Sequence, residues 1–146
     1  MVQRIAGLQV LNSWEIIMTY CLNAMHTFVE DDGYTVIIGF SNDQFEPTKY
    51  VIIQQAKEYD DQDKNLGMDN LHIQVEDQSR SIYGGILEIA FENNHLTLSL
   101  DHNAQKQLKV DGNIKIKLPE KCKKNSDILL EIIKVARKNS IPTKNI

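Results

Sequence analysis

Cysteine is scarce in this chain. Cys21 and Cys122 are the only two, far apart and outside any Cys-x-x-Cys pair. That disfavours a disulfide framework and a zinc site, and free thiols in a reducing compartment are the simplest reading. Long apolar runs are also missing, whereas a membrane-spanning helix needs about 20 such residues. The first seventeen residues hold Arg4 as their single basic residue and no extended apolar core leading into small residues, which argues against a secretory signal. No Gly-x-Ser-x-Gly occurs, and Gly84-Gly85 is not followed by the helix and Lys or Ser/Thr of a phosphate loop. Basic residues are sparse over Glu30–Asp77, where twelve acids face three lysines. Phosphate contacts need clustered Lys and Arg, so direct nucleic-acid binding is disfavoured.

What is present fits one globular domain over 1–146 with a cytoplasmic location. The 146 residues are 42% hydrophobic and 25% charged, enough to bury a core. The net charge of −4 hides a split, because five acids face eleven bases from Asp101 onward. Such polarity speaks to partners more than to fold.

The central stretch is Asp69–Asp101. Leu71, Ile73 and Val75 alternate with His72, Gln74 and Glu76, the period-2 pattern of a half-buried strand. Ile86–Phe91 and Leu96–Leu100 repeat it around Asn93-Asn94, which suits the centre of a hairpin turn. Before this stretch, strands are expected over Tyr20–Phe28, Tyr34–Phe40 and Tyr50–Ala56, with a turn at Glu30–Gly33 and a loop over Asn42–Lys49. Glu58–Asn70 is a long acidic connection, and loops of that length are usually functional or mobile. After it, Asp101 is placed to cap a short helix through Leu108, and Asp111-Gly112 turns into a strand over Ile114–Leu118. A terminal helix is expected over 125–139, capped by Asn125 or Ser126, with its apolar stripe on Ile128, Leu129, Ile132, Ile133, Val135 and Ala136. Residues 1–17 are expected to be a leader extension ahead of a β-rich core over 18–118. The fold class is α+β: a mainly antiparallel sheet of about six to seven strands with the terminal helix packed on it.

No catalytic set emerges. Asp61, Asp63, Asn65 and Gly67 imitate a calcium loop, but the glycine comes one residue late and His72 stands where a bidentate Glu belongs. His26, His72, His95 and His102 have no metal-ligand spacing. Glu88 and Glu92 share a strand face, and solvent-facing alternation explains them as well as acid–base work does. No metal, cofactor or enzymatic activity is therefore assigned. Arg80 and Tyr83, with Glu76 and Asp77, make a loop of the residue types enriched at binding hot spots, although Arg80 pairing with a neighbouring carboxylate explains that loop as well.

The order of Phe45-Glu46-Pro47, Tyr50–Gln54, the acidic loop, Leu71–Gln78 and Tyr83–Ile86 resembles bacterial polymorphic-toxin immunity proteins, most closely immunity-protein family 10. The resemblance runs from about Met18 through Leu118. It implies a small cytoplasmic binder that neutralises a cognate toxin and performs no chemistry of its own. Nuclease toxins usually present a basic surface, which an acidic patch steers into contact. The first expected partner face is therefore Tyr59, Asp60, Asp61, Asp63 and Asp69, and the second is Glu76, Asp77, Arg80 and Tyr83. No nucleic-acid or membrane partner is expected. The competing reading is a small regulatory or ligand-binding domain that homodimerises through its terminal helix.

Overall fold

The structure, a computed structural model, describes residues 19–120 and 122–146. The expected leader over 1–17 lies outside the described residues. Within them the chain forms β1 (Tyr20–Asn23), β2 (His26–Asp31), β3 (Thr35–Ser41), β4 (Tyr50–Ala56), α1 (Asp61–Asn65), β5 (His72–Val75) and β6 (Asp77–Tyr83). There follow β7 (Ile86–Glu92), β8 (His95–Leu100), α2 (His102–Leu108), β9 (Asn113–Lys117), α3 (Lys124–Lys138) and β10 (Thr143–Lys144).

The strands make two five-stranded sheets. The first runs β2-β3-β4-β5-β6 and is antiparallel throughout. The second runs β1-β9-β8-β7-β10, with an antiparallel centre and a parallel strand at each edge. Period-2 alternation dictates their inner faces: Val51, Ile53 and Gln55 of β4 and Leu96, Leu98 and Leu100 of β8 are buried, and the residues between them are half exposed. The two inner faces meet in one core that also takes Ile128, Ile132, Val135 and Ala136 from α3. Thus α3 buries its apolar stripe within the chain, where it packs on β2 and β3.

The α+β, mainly antiparallel class is as expected, but ten strands replace six to seven and they divide between two sheets. The expected strand Tyr20–Phe28 is two strands. Ala24 donates its N–H to Lys117 O at 2.9 Å, and Met25 donates to Ser41 O at 2.9 Å, so the chain changes sheet between them. Tyr20–Asn23 alternates buried and exposed, whereas in His26–Phe28 it is Thr27 that is buried, and neither pattern marks which sheet a residue joins. The Glu76–Tyr83 connection is mostly strand β6, an edge strand whose solvent-facing residues are polar for that reason. The acidic connection contains the helical turn α1. Helix α3 begins at Lys124 and has no side-chain cap; the Asn125 amide donates instead to Pro119 O at 2.7 Å.

Other local expectations hold. The Asp101 carboxylate accepts the Ala104 N–H at 2.8 Å and starts α2, which buries Ala104 and Leu108. Asn93 and Asn94 sit at φ 52° and 63°, as a tight hairpin requires. Where β6 crosses to β7, Gly85 has φ +87°, and a β-carbon there would stand 2.6 Å from Ala104 Cβ.

Candidate functional site

The acidic connection is held by its own side chains. Asp60 caps α1 by accepting the Asp63 N–H at 2.7 Å, and Asp63 accepts the Asp60 N–H at 3.2 Å. This reciprocal box uses two of the five predicted contact residues to shape the loop. Asp61 and Asp69 remain exposed, as does neighbouring Glu58. Tyr59 is half buried, and its hydroxyl accepts a hydrogen bond from Gln55 Nε2. Gln55 Oε1 in turn accepts from Asn139 Nδ2 at 2.6 Å, and Asn139 Oδ1 accepts the Leu71 N–H at 3.2 Å. The loop is thereby tied to the end of α3. Burial raises the Tyr59 hydroxyl above the ordinary tyrosine range, and the nearby Asp69 and Asp63 charges push the same way.

Beneath the loop lies a shallow hollow of about 150 Å³ on the outer face of the first sheet. Tyr59, Asp63 and Met68 line it from the loop, and His72 and Tyr83 line it from β5 and β6. His72 and Tyr83 are register partners whose rings lie 4.8 Å apart at 56°. Burial lowers the His72 pKa, and its Nδ1 is buried without a hydrogen-bond partner among the described residues. Substrate pockets usually run from about 300 to 1,000 Å³, so this hollow suits a protruding side chain better than a whole small molecule.

The second predicted group is divided by the length of β6. Tyr83 joins the hollow, while Glu76, Asp77 and Arg80 sit toward the opposite end. The Glu76 carboxylate accepts the Tyr20 hydroxyl and lies 3.5 Å from Arg80 Nη1. Arg80 Nε donates to Leu108 O at 2.9 Å, and its guanidinium lies 5.7 Å from the centre of the Tyr20 ring. Lys49 Nζ stands 5.3 Å from the same centre. Asp77 accepts the Ser79 N–H at 2.9 Å, and that bond lowers its pKa. Arg80 and Glu76 therefore bind inside the chain, joining β1, β6 and α2.

Sequence reasoning missed one part of the acidic surface. The β2–β3 hairpin carries Glu30, Asp31 and Asp32 to the end of the sheet where the acidic connection leaves β4, and Lys57 Nζ bonds Asp31 Oδ2 at 2.8 Å. Antiparallel pairing of β3 with β4 was the signal available, because it sets the start of one beside the end of the other. Among the described residues no group of three or more His, Cys, Asp and Glu side chains is arranged to hold a metal ion.

The sequence model of the family described as Immunity protein 10 matches residues 22–124, from within β1 to the first residue of α3. The chain belongs to that family. The match takes in the acidic connection, the hairpin acids and both predicted contact groups of this Immunity protein 10 member, and leaves most of α3 outside. No curated protein matches the sequence closely enough to count as a relative. No described helix is long and apolar enough to cross a membrane.

Proposed function

We propose that this chain is a single-domain, cytoplasmic, non-catalytic immunity protein that binds and neutralises a cognate toxin of a bacterial polymorphic-toxin system. Membership of the Immunity protein 10 family is the observation that carries the proposal. The acidic surface around Tyr59, Asp60, Asp61, Asp63 and Asp69 supports a partner with a basic face, such as a nuclease, because complementary charge speeds encounter and selects the partner. Tyr83 extends that surface through the shared hollow. Glu76, Asp77 and Arg80 serve the fold first, and Asp77 is the exposed one of the three.

Co-expression with the product of the adjacent gene tests the reading. The two chains are expected to co-purify, and this chain is expected to restore growth of cells that express the toxin. A toxin that neither binds nor loses its toxicity overturns it.

A further inference from the structure

The two sheets turn very different outer faces to solvent. On the second, Lys115 and Lys117 of β9, Lys144 of β10 and Glu88 and Glu92 of β7 give an ordinary charged surface. On the first, alternation and register bring out Phe28 from β2, Ile37 from β3 and Tyr50 and Ile52 from β4, all half exposed. On β2, Glu30 is the register partner of Ile37 and the His26 ring lies 5.8 Å from that of Phe28; the other neighbours on that face, Thr35, Gly39, Gln54, Gln74 and Ser81, are uncharged. Among the described residues, none of Phe28, Ile37, Tyr50 and Ile52 packs against the core.

The ends of this face are acidic. Glu30, Asp32, Glu58, Asp61 and Asp69 stand at one end, and Asp43 and Glu46 stand in the β3–β4 loop at the other. An apolar, charge-depleted centre within a charged rim is the usual anatomy of a protein–protein interface. A second copy of this chain fits poorly, because two-fold pairing through one face sets acidic ends against acidic ends. A basic partner meets complementary charge at both.

Building on the toxin-binding reading, we propose that the outer face of the first sheet, centred on Phe28, Ile37 and Ile52, is the docking surface for the toxin's basic face. The acidic connection guides approach, and the sheet face holds the partner. Residence time therefore depends on the apolar centre, and association rate depends on the rim.

The test measures binding to a catalytically inactive form of the toxin encoded by the adjacent gene. Ile52→Lys and Ile37→Lys are expected to weaken binding by about a hundredfold, mostly through faster dissociation. Thr97→Lys, on the outer face of the second sheet, is expected to stay within about twofold, as for a site outside an interface. Ile52→Thr keeps a β-branched side chain and supplies the reading should either lysine variant fail to fold; about a tenfold loss is expected. Folded outer-face variants that bind like wild type, alongside rim variants that associate slowly, overturn the docking face and leave the toxin reading standing. No binding by wild type overturns both. A dimer seen by light scattering and dissolved by Ile52→Lys gives the face to a second copy and overturns the assignment to a toxin.

Discussion

The Phe28 ring lies across Gly39: a β-carbon built on Gly39 would stand 2.1 Å from the ring edge. The two residues are direct partners in the β2–β3 register, so the aromatic ring covers backbone that glycine leaves bare. Gly39→Ala is expected to displace the ring and cost about 1–3 kcal/mol, the usual range for overpacking. Phe28→Ala removes the obstacle, so the double variant should lose less than the sum of the two singles. Urea unfolding of the four proteins measures the coupling. Strict additivity would contradict the contact.

The Tyr20–Glu76–Arg80 cluster makes a second prediction. Glu76→Ala leaves a half-buried hydroxyl and guanidinium without their carboxylate, and is expected to cost about 1–3 kcal/mol. Tyr20→Phe keeps the ring under Arg80 and Lys49, and is expected to cost about 1 kcal/mol. Burial first, then the bond to Glu76, raises the Tyr20 pKa far above its ordinary 10.0. The neutral phenol is favoured in the folded state, so the associated stability is complete below pH 10.0 and declines as pH climbs beyond it. In an ultraviolet titration Tyr20 should be the last of the five tyrosines to ionise.

His72 predicts a dependence on the acid side. Burial lowers its pKa from the ordinary 6.5, so the unfolded chain takes up a proton more readily than the folded one. The contribution is complete above pH 6.5 and is lost as pH falls through the lower folded value. His72→Gln should flatten the fall in urea midpoint between neutral pH and about pH 5. An unchanged slope in the variant would remove His72 as the cause.

Charge reversal on the rim predicts an effect on kinetics. Asp60 and Asp63 are poor choices, because each caps the other's backbone and reversal would unwind α1. Glu58, Asp61 and Asp69 are exposed and take no part in the Asp60–Asp63 capping box, so the triple Lys variant should fold normally. Its association with the toxin is expected to slow by about tenfold or more at low salt, with the gap closing as ionic strength rises. Association as fast as wild type at low salt would show that these acids do not guide the partner.

Much of this was legible locally. Alternation in Leu71–Val75, Ile86–Phe91 and Leu96–Leu100, the Asn93-Asn94 turn, the Asp101 cap and the apolar stripe of α3 each depend on residues within a few positions of one another. The order of short motifs also pointed to the family that the match over 22–124 identifies. The candidate site was legible in part: Tyr59, Asp63 and Tyr83 meet in one hollow, whereas Glu76 and Arg80 turn to Tyr20, a residue more than fifty positions away in the chain.

By itself, then, the sequence determined an α+β chain with half-buried strands, a packed terminal helix, an acidic half and no catalytic set that could be recognised. Tertiary structure alone decided that Ala24 and Met25 hand the chain from one sheet to the other, and that the hairpin acids join the acidic loop. It also decided which sheet, among the described residues, turns apolar side chains outward. Periodicity is set by the pleat of one strand, which every strand shares. Sheet membership, and what covers a face, are set by pairings between residues distant in sequence, and no local pattern encodes them.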